Sequence, residues 1–367
     1  MKSSLKKLLL AGMLLVCGMT FAAEDYLDCI KQIDQWLNAN YGNVPPAYKA
    51  GFEKLGRIIG SSKSEEEKVA ELKKEFPKAF DKTGDGLPPL DLKRIAADEE
   101  KGIVFSEDKR TLIRYNQSTV NDLTYVIPNG VTAVGDEAFS KQKLTFVKIP
   151  DGVTTIGKRA FYFCEKLTRV NIPSSVTSIG KEAFNMCKNL ESVNIPSSVT
   201  TIEEGTFGGC LSLESVNIPS SVKIIGNRTF RSCSSLKNIT IPASVTTIGK
   251  YAFAWCLSLE TITIPSSVTT IEEGTFAHCI RLKNITIPTS VTTIGEEVFW
   301  ECNSLKNITI PASVTTIGKY AFRWCPLENV TIPASVTTIG EKAFEQCPCE
   351  ESVKKQFPNY APRRGWF

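Results

Sequence analysis

The stretch IPSSVTTIEEGTFGGCLSLESVNIP, residues 195–219, decides the fold because its pattern recurs along the chain. Ile-Pro occurs ten times, with its prolines at positions 128, 150, 173, 196, 219, 242, 265, 288, 311 and 333. Seven of the intervals are 23 residues long and two are 22. Because repeats of roughly 20 to 50 residues are typical of stacked architectures, this period predicts a solenoid.

Two further residue types keep the same period. The phenylalanine column consists of Phe139, Phe161, Phe184, Phe207, Phe230, Phe253, Phe276, Phe299, Phe322 and Phe344. The cysteine column consists of Cys164, Cys187, Cys210, Cys233, Cys256, Cys279, Cys302, Cys325 and Cys347, nine of the 12 cysteines. Residues that recur at one position of every coil are expected to share one continuous core.

Each unit contains one clear strand signal. Val216 and Ile218 alternate with Ser215 and Asn217, the period of two that indicates a strand with one buried face. Pro219 ends this strand, and the remaining apolar positions predict a turn and a short helical or irregular return. A single coil of this length cannot bury its apolar side chains alone, so neighbouring coils must stack.

The repeated motif Ile-Pro-x-Ser-Val-Thr-x-Ile-Gly-x-x-Ala-Phe-x-x-Cys-x-x-Leu resembles the BspA-type leucine-rich repeat of bacterial and some protist surface proteins. The resemblance extends from Ile103 to Cys347, and residues 103–105, 111–113 and 125–127 resemble the hairpin-like start of such arrays. It implies a curved α/β solenoid that is exported and used for adhesion or protein binding. The expected fold class is an α/β solenoid, a leucine-rich repeat array of about ten 22–23-residue coils that follows a small α-helical module.

A longer period is superimposed on the short one. The sequence from Ile241 to Phe253 recurs from Ile310 to Phe322, an offset of 69 residues or three coils. Pro196 to Phe207 recurs from Pro265 to Phe276 at the same offset. Copied blocks favour a surface that grows by duplication over a unique catalytic centre within the array.

The first 22 residues have the pattern of an export signal. Lys2, Lys6 and Lys7 precede a short apolar core, and small residues near Ala22 suit cleavage there. Alternatively, lipid could be attached at Cys17, although Val16 is larger than the residue that normally precedes a lipidated cysteine. We therefore expect an exported chain that is secreted, periplasmic or associated with the cell surface, without a transmembrane segment.

The predicted domains are a signal peptide at 1–22, a helical N-terminal module at 23–100, the repeat domain at 101–347 and a C-terminal tail or cap at 348–367. Helical spacing of apolar residues and a capping-box pattern from Ser64 to Glu67 support the helical module. It could cover the first coil or bind a partner independently.

Composition disfavours several functional classes. The net charge of +4 falls to +1 without the signal, which is too slight for nucleic-acid binding. The chain has a single histidine, His278, whose place before Cys279 predicts a surface position. A calcium-like sequence at Asp81 has Leu92 where the final carboxylate ligand belongs. We expect no catalytic residues, metal or cofactor.

The cysteine column could bind metal or form disulfides, but free cysteine usually packs as a small apolar side chain. Packing is therefore the favoured interpretation, and Cys29 with Cys349 is the more reactive candidate pair outside the column.

Two candidate binding surfaces remain. The first is a ladder of small polar residues on the outward strand face, which we expect to be concave. Its members are Ser192, Asn194, Ser215, Asn217, Asn238, Thr240, Thr261, Thr263, Asn284, Thr286, Asn307 and Thr309, and the same pattern continues at Asn329 and Thr331. Alternatively, these side chains only hydrogen-bond to one another along the stack.

The second candidate surface, the aromatic edge, follows the phenylalanine column and comprises Tyr162, Phe163, Trp255, Trp300 and Trp324. Aromatic residues often anchor protein interfaces, but these could also pack against the next coil.

The sequence thus favours a noncatalytic surface protein that mediates adhesion or protein–protein binding to a protein or glycan on host or neighbouring cells. The alternative is a structural spacer that presents the N-terminal helical module, in which case residues 23–100 would retain all binding.

Overall fold

The computed structural model describes residues 57, 61, 88–116, 123–358 and 360. The chain divides into two compact units, Met1–Asp91 and Leu92–Phe367. The predicted signal, most of the predicted helical module, Cys29 and the calcium-like sequence that starts at Asp81 lie outside the described residues. The predicted domain boundaries therefore remain predictions.

The array begins with an antiparallel hairpin of β1 (Val104–Phe105) and β2 (Thr111–Arg114). The following coils build two rows of parallel strands. The first row contains β3 (Thr124–Val126), β5 (Phe146–Lys148), β7 (Arg169–Asn171), β9 (Ser192–Asn194), β11 (Ser215–Asn217), β13 (Asn238–Ile239), β15 (Thr261–Thr263) and β17 (Asn284–Thr286). The second row contains β4 (Ala133–Val134), β6 (Thr155–Ile156), β8 (Ser178–Ile179), β10 (Thr201–Ile202), β12 (Ile224–Ile225), β14 (Thr247–Ile248), β16 (Thr270–Ile271), β18 (Thr293–Ile294), β19 (Thr316–Ile317) and β20 (Thr338–Ile339).

The Ile-Pro corner connects the two rows within each coil. The N–H of Val222 donates to the carbonyl of Pro219 at 3.1 Å and closes a tight turn. The hydroxyl of Ser221 donates to the carbonyl of Val199 in the preceding coil at 2.7 Å. The recurrent serine of the motif therefore links coils at the corner, where strand pairing is interrupted by proline.

A glycine column follows the second row and lets adjacent coils approach closely. The N–H of Gly226 donates to the carbonyl of Ile202 at 2.8 Å, and a Cβ atom at Gly226 would come within 2.8 Å of the Glu203 backbone. The row is divided into three sheets, between β8 and β10 and between β14 and β16. Both breaks coincide with a glutamate in the glycine column, Glu203 and Glu272.

The third side of each coil carries the segment around the column phenylalanine. Its residues form turns and donate hydrogen bonds to the next coil, as from the N–H of Trp255 to the carbonyl of Ala277 at 2.8 Å. Two residues per coil adopt left-handed backbone conformations, for example Tyr251 with φ 56° and Trp255 with φ 64°. The return is therefore irregular, and no α-helix lies between β1 and the C-terminal helix among the described residues.

The core is built from the repeated apolar positions. Consecutive rings from Phe139 to Phe344 stack with centroids 5.0–5.7 Å apart and interplanar angles of 2–16°. Each column cysteine is buried and donates its thiol to a phenylalanine carbonyl one coil back, as from Cys233 to Phe207 at 3.3 Å. Burial of this continuous stack, shared between coils, is the main source of stability.

Short helices lie near both ends of the array. In α1 (Leu92–Glu100), the carboxylate of buried Asp98 accepts a hydrogen bond from the Tyr125 hydroxyl at 2.7 Å. Burial and the Asp98 carboxylate raise the pKa of Tyr125. At the other end, α2 (Glu350–Gln356) buries Val353, and the Tyr360 hydroxyl accepts the N–H of Phe344 at 2.6 Å.

Candidate interaction surfaces

The Asn/Thr ladder is the set of polar side chains on the outward side of the first strand row and its continuation at residues 307–309 and 329–331. In β15, Thr261 and Thr263 are exposed while Ile262 between them is buried. β9 shows the same alternation, with Ser192 and Asn194 exposed. All twelve candidate ladder residues predicted from the sequence are exposed: Ser192, Asn194, Ser215, Asn217, Asn238, Thr240, Thr261, Thr263, Asn284, Thr286, Asn307 and Thr309.

The ladder does not consist mainly of hydrogen bonds between its own side chains. The described residues contain two such bonds within it, from Asn217 to Asn194 at 2.7 Å and from Thr261 to Asn238 at 3.0 Å. Strand pairing of the first row also stops after β17, so residues 307–309 form no described strand. No hydrogen bond joins the ladder side chains at 284, 286, 307 and 309 to one another among the described residues.

An open groove of about 750 Å³ runs across these later coils. Its walls are Thr261, Ile262, Thr263, Asn284, Ile285, Thr286, Ile287, Thr289, Asn307, Ile308, Thr309, Pro311, Ala312 and Asn329. We call this set the neutral groove, because it contains no charged side chain.

The aromatic edge separates into two clusters. Tyr162 and Phe163 contact each other at 5.0 Å between centroids, with the Arg159 guanidinium 5.2 Å from the Tyr162 ring. Three coils separate this pair from Trp255, and their corresponding residues include Gly208 and Gly209. The structure therefore does not join Tyr162 and Phe163 to the tryptophans.

The second cluster, the tryptophan cluster, comprises Trp255, His278, Trp300 and Trp324. Trp255 stacks on His278 at 3.8 Å and 17°, His278 lies 5.0 Å from Trp300, and Trp300 lies 6.4 Å from Trp324. Trp255 and Trp324 at its ends are each 41% exposed. The cluster therefore presents two exposed tryptophans, each in contact with a neighbouring ring of the cluster.

The predicted surface position of His278 is wrong. His278 is 8% exposed, because rings from both adjacent coils cover it and its Nδ1 lies 2.9 Å from Glu301 Oε2. The sequence contained a signal for this arrangement, since Trp255, His278 and Trp324 occupy the same position of their coils.

Arg323 also belongs to this surface. Its guanidinium lies 4.7 Å from the Trp324 ring and 5.0 Å from the Tyr320 ring. Its Nε lies 2.6 Å from Glu345 Oε2. The ion pair and the cation–π contacts fix the position of Trp324.

The described cysteines are free and buried, as expected for a column that packs as small apolar side chains. Burial raises the pKa of the Cys210 and Cys256 thiols to about 12. The thiols therefore stay protonated near neutral pH and are poor nucleophiles. Cys349 is buried too, and a hydrogen bond with Cys347 lowers its thiol pKa.

Among the described residues, no cluster of three or more His, Cys, Asp or Glu side chains could hold a metal ion. Within that same part of the chain, no helix is both long and apolar enough to span a membrane.

Residues 115–237 and 223–350 match the family described as BspA type leucine rich repeat region (6 copies). The chain belongs to this family. The BspA-type resemblance and the leucine-rich repeat solenoid of about ten coils, both predicted from the sequence, are thereby confirmed. Proteins of the BspA-type family are typically surface proteins.

Solved structures of bacterial leucine-rich repeat proteins are similar to this chain. A protein from Bacteroides ovatus is 33% identical over 66% of this chain and 60% of its own, with a TM-score of 0.54. A leucine rich cell surface protein from Faecalibacterium prausnitzii is 28% identical over 72% of this chain and 96% of its own, with a TM-score of 0.39. The chain thus spans 60% of the length of the B. ovatus protein. A search of curated proteins gave no match.

Proposed function

We propose that this BspA-type repeat protein is exported and noncatalytic, and that it binds a protein on the surface of a host or neighbouring cell through the tryptophan cluster. The observation that carries the proposal is the exposure of Trp255 and Trp324, 41% each, at the ends of a contiguous aromatic cluster. Tryptophan and arginine are the residue types most enriched in interface hot spots.

Preorganisation supports a binding role for this cluster. Trp255 and Trp324 both have left-handed backbones, with φ of 64° and 61°, which cost bulky residues free energy. Stacking on His278 and the contact with Arg323 hold the two rings in place. Since these side chains are already ordered, a partner loses less conformational entropy when it binds them.

The experiment uses the immobilised full chain and a panel of purified extracellular matrix proteins. We expect at least one of them to bind, and Trp255→Ala/Trp324→Ala to weaken that binding by at least about tenfold, because truncating hot-spot residues costs about 2 kcal/mol or more. The affinities would be measured by surface plasmon resonance.

Tyr162→Ala/Phe163→Ala is the matched control, because it removes two aromatic rings from the separate cluster. Equal loss of affinity in both double variants would contradict a specific role for the tryptophan cluster. Unchanged affinity in Trp255→Ala/Trp324→Ala would favour the spacer hypothesis, whose binding unit is the N-terminal helical module.

Export is part of the proposal and is tested separately. We expect mass spectrometry of the protein made by its own cells to show an N-terminus at Ala23. A diacylated Cys17 would instead indicate attachment by lipid, and an intact Met1 to Ala22 segment would contradict export through a cleaved signal.

A further inference from the structure

We propose that the neutral groove is a second binding site, separate from the tryptophan cluster, and that its ligand is an uncharged polysaccharide chain lying along the stack of coils. The groove extends along the ladder from β15 to Asn329, is open to solvent and has a volume of about 750 Å³.

The charge of the groove favours an uncharged ligand. None of its fourteen lining residues is charged, although 22% of the residues in the chain are Asp, Glu, Lys or Arg. Acidic glycans, nucleic acids and highly charged proteins gain affinity from opposite charges on their partners. The groove offers them none.

Unused hydrogen-bonding capacity in the groove favours a hydroxyl-rich ligand. Asn284, Thr286, Asn307 and Thr309 are exposed, and their side chains have no hydrogen-bond partner among the described residues. An asparagine amide and a threonine hydroxyl each both donate and accept hydrogen bonds. Sugar hydroxyls do the same, so the two sets are chemically complementary.

The backbone adds further hydrogen-bonding groups to the same groove. Residues 307–309 are not paired with β17, unlike the corresponding segments of the two preceding coils, β15 and β17. The backbone N–H and C=O groups of residues 307–309 that would pair with β17 in a continuous sheet therefore lack that partner.

The recurrence of the same polar pair along the groove favours a ligand that is a polymer of identical units. An Asn/Thr pair recurs in each coil at 284 and 286, at 307 and 309, and at 329 and 331. The coils stack regularly, with consecutive core ring centroids 5.3–5.7 Å apart, so the Asn/Thr pair recurs at short, regular steps along the array. A polysaccharide along the stack would thus meet the same pair at each step, and its contacts would add by multivalency.

The test is affinity electrophoresis of the full chain through gels that contain a soluble β-linked glucan, an α-linked mannan or the acidic glycan hyaluronan. We expect at least one of the two neutral polysaccharides to retard the protein. Retardation by neither neutral polysaccharide, or by hyaluronan alone, would overturn the proposal.

Two groove variants locate the site. Asn284→Asp/Asn307→Asp replaces amide donors by acceptors, and Thr286→Val/Thr309→Val removes hydroxyls without adding charge. We expect each to raise the dissociation constant for the retarding polysaccharide at least tenfold. Asn171→Asp in β7 is the control, because Asn171 is an exposed ladder asparagine outside the groove, at the ladder position that Thr286 and Thr309 occupy in theirs.

The failure of this proposal can be told apart from failure of the proposed protein binding. Trp255→Ala/Trp324→Ala should retain full retardation by the neutral polysaccharide, and the groove variants should retain protein binding. If both groove variants were retarded as strongly as the unmodified chain and unfolded at the same temperature, the neutral groove would not be the polysaccharide site.

Discussion

At the scale of single residues, the glycine column sets how closely consecutive coils can approach in the second strand row. The N–H of Gly295 donates to the carbonyl of Ile271 at 2.8 Å, and a Cβ atom at position 295 would come within 2.8 Å of that same oxygen. Where Glu203 and Glu272 occupy the column, the sheet is broken. Strand pairing in the second row therefore continues where the column residue is glycine and stops where the residue carries a Cβ atom.

Gly295→Ala should destabilise the protein by about 1–3 kcal/mol, because the added methyl group must push apart two packed backbones and weaken the bond to Ile271. The measurement is the free energy of unfolding in urea. Glu272→Ala is the matched control, since position 272 already accommodates a Cβ atom, and its effect should stay within about 0.5 kcal/mol. Equal effects of the two changes would contradict this role of the glycine column.

The burial of a residue was predictable from the sequence where the same residue type recurs at one position of every coil. The phenylalanine and cysteine columns are buried as their spacing indicates. Burial of His278 was not anticipated, because it depends on Trp300, which belongs to the following coil and a different position of the repeat. The left-handed residues were also missed, since most of them are not glycine.

At the scale of elements, the first strand row was predictable and the second was not. A strand such as β9 has three residues with alternating burial, which gives a recognisable period of two. A strand such as β16 has only two residues, so no period can be seen, and pairing with other coils defines it. The same period of two marks the exposed positions of these strands, so the Asn/Thr ladder was also predictable from the sequence.

The C-terminal end of the array provides an element-scale prediction. Inside the array, the N–H of Phe322 donates to the carbonyl of Ala343 in the next coil at 2.8 Å. The N–H of Phe344 in the last coil donates to the Tyr360 hydroxyl instead. Tyr360→Phe should therefore leave a buried N–H without its partner and destabilise the last coil by about 1–3 kcal/mol. Hydrogen exchange of a peptide spanning residues 338–349 should become faster.

Tyr162→Phe is the control for this change, because the Tyr162 hydroxyl makes no hydrogen bond with the described residues. Exchange within β5 and β7 should be the same in both variants, since coils contact mainly their neighbours. Faster exchange throughout the array in Tyr360→Phe would contradict a local capping role.

At the scale of the whole molecule, the buried thiols act together because every coil from Cys164 onward contributes one. Burial raises the pKa of Cys164, Cys210 and Cys256 to about 12 and that of Cys187, Cys233, Cys279 and Cys302 well above the ordinary value. In the unfolded chain the same thiols ionise at about pH 8.5. Their stabilising effect is therefore complete below that pH.

As the pH rises above the unfolded value, the unfolded chain binds fewer protons than the native chain, so the free energy of unfolding must fall. Each thiol contributes about 1.4 kcal/mol per pH unit to this slope until its native pKa is reached. Cys233→Ala should lower stability at pH 7 by about 1–3 kcal/mol, because it removes a buried contact, yet make the alkaline slope shallower by one thiol. Urea unfolding at pH 7, 9 and 10 measures both effects. Ser232→Ala, the adjacent change without a titrating group, should keep the original slope, and a Cys233→Ala slope equal to it would refute the thiol origin of alkaline instability.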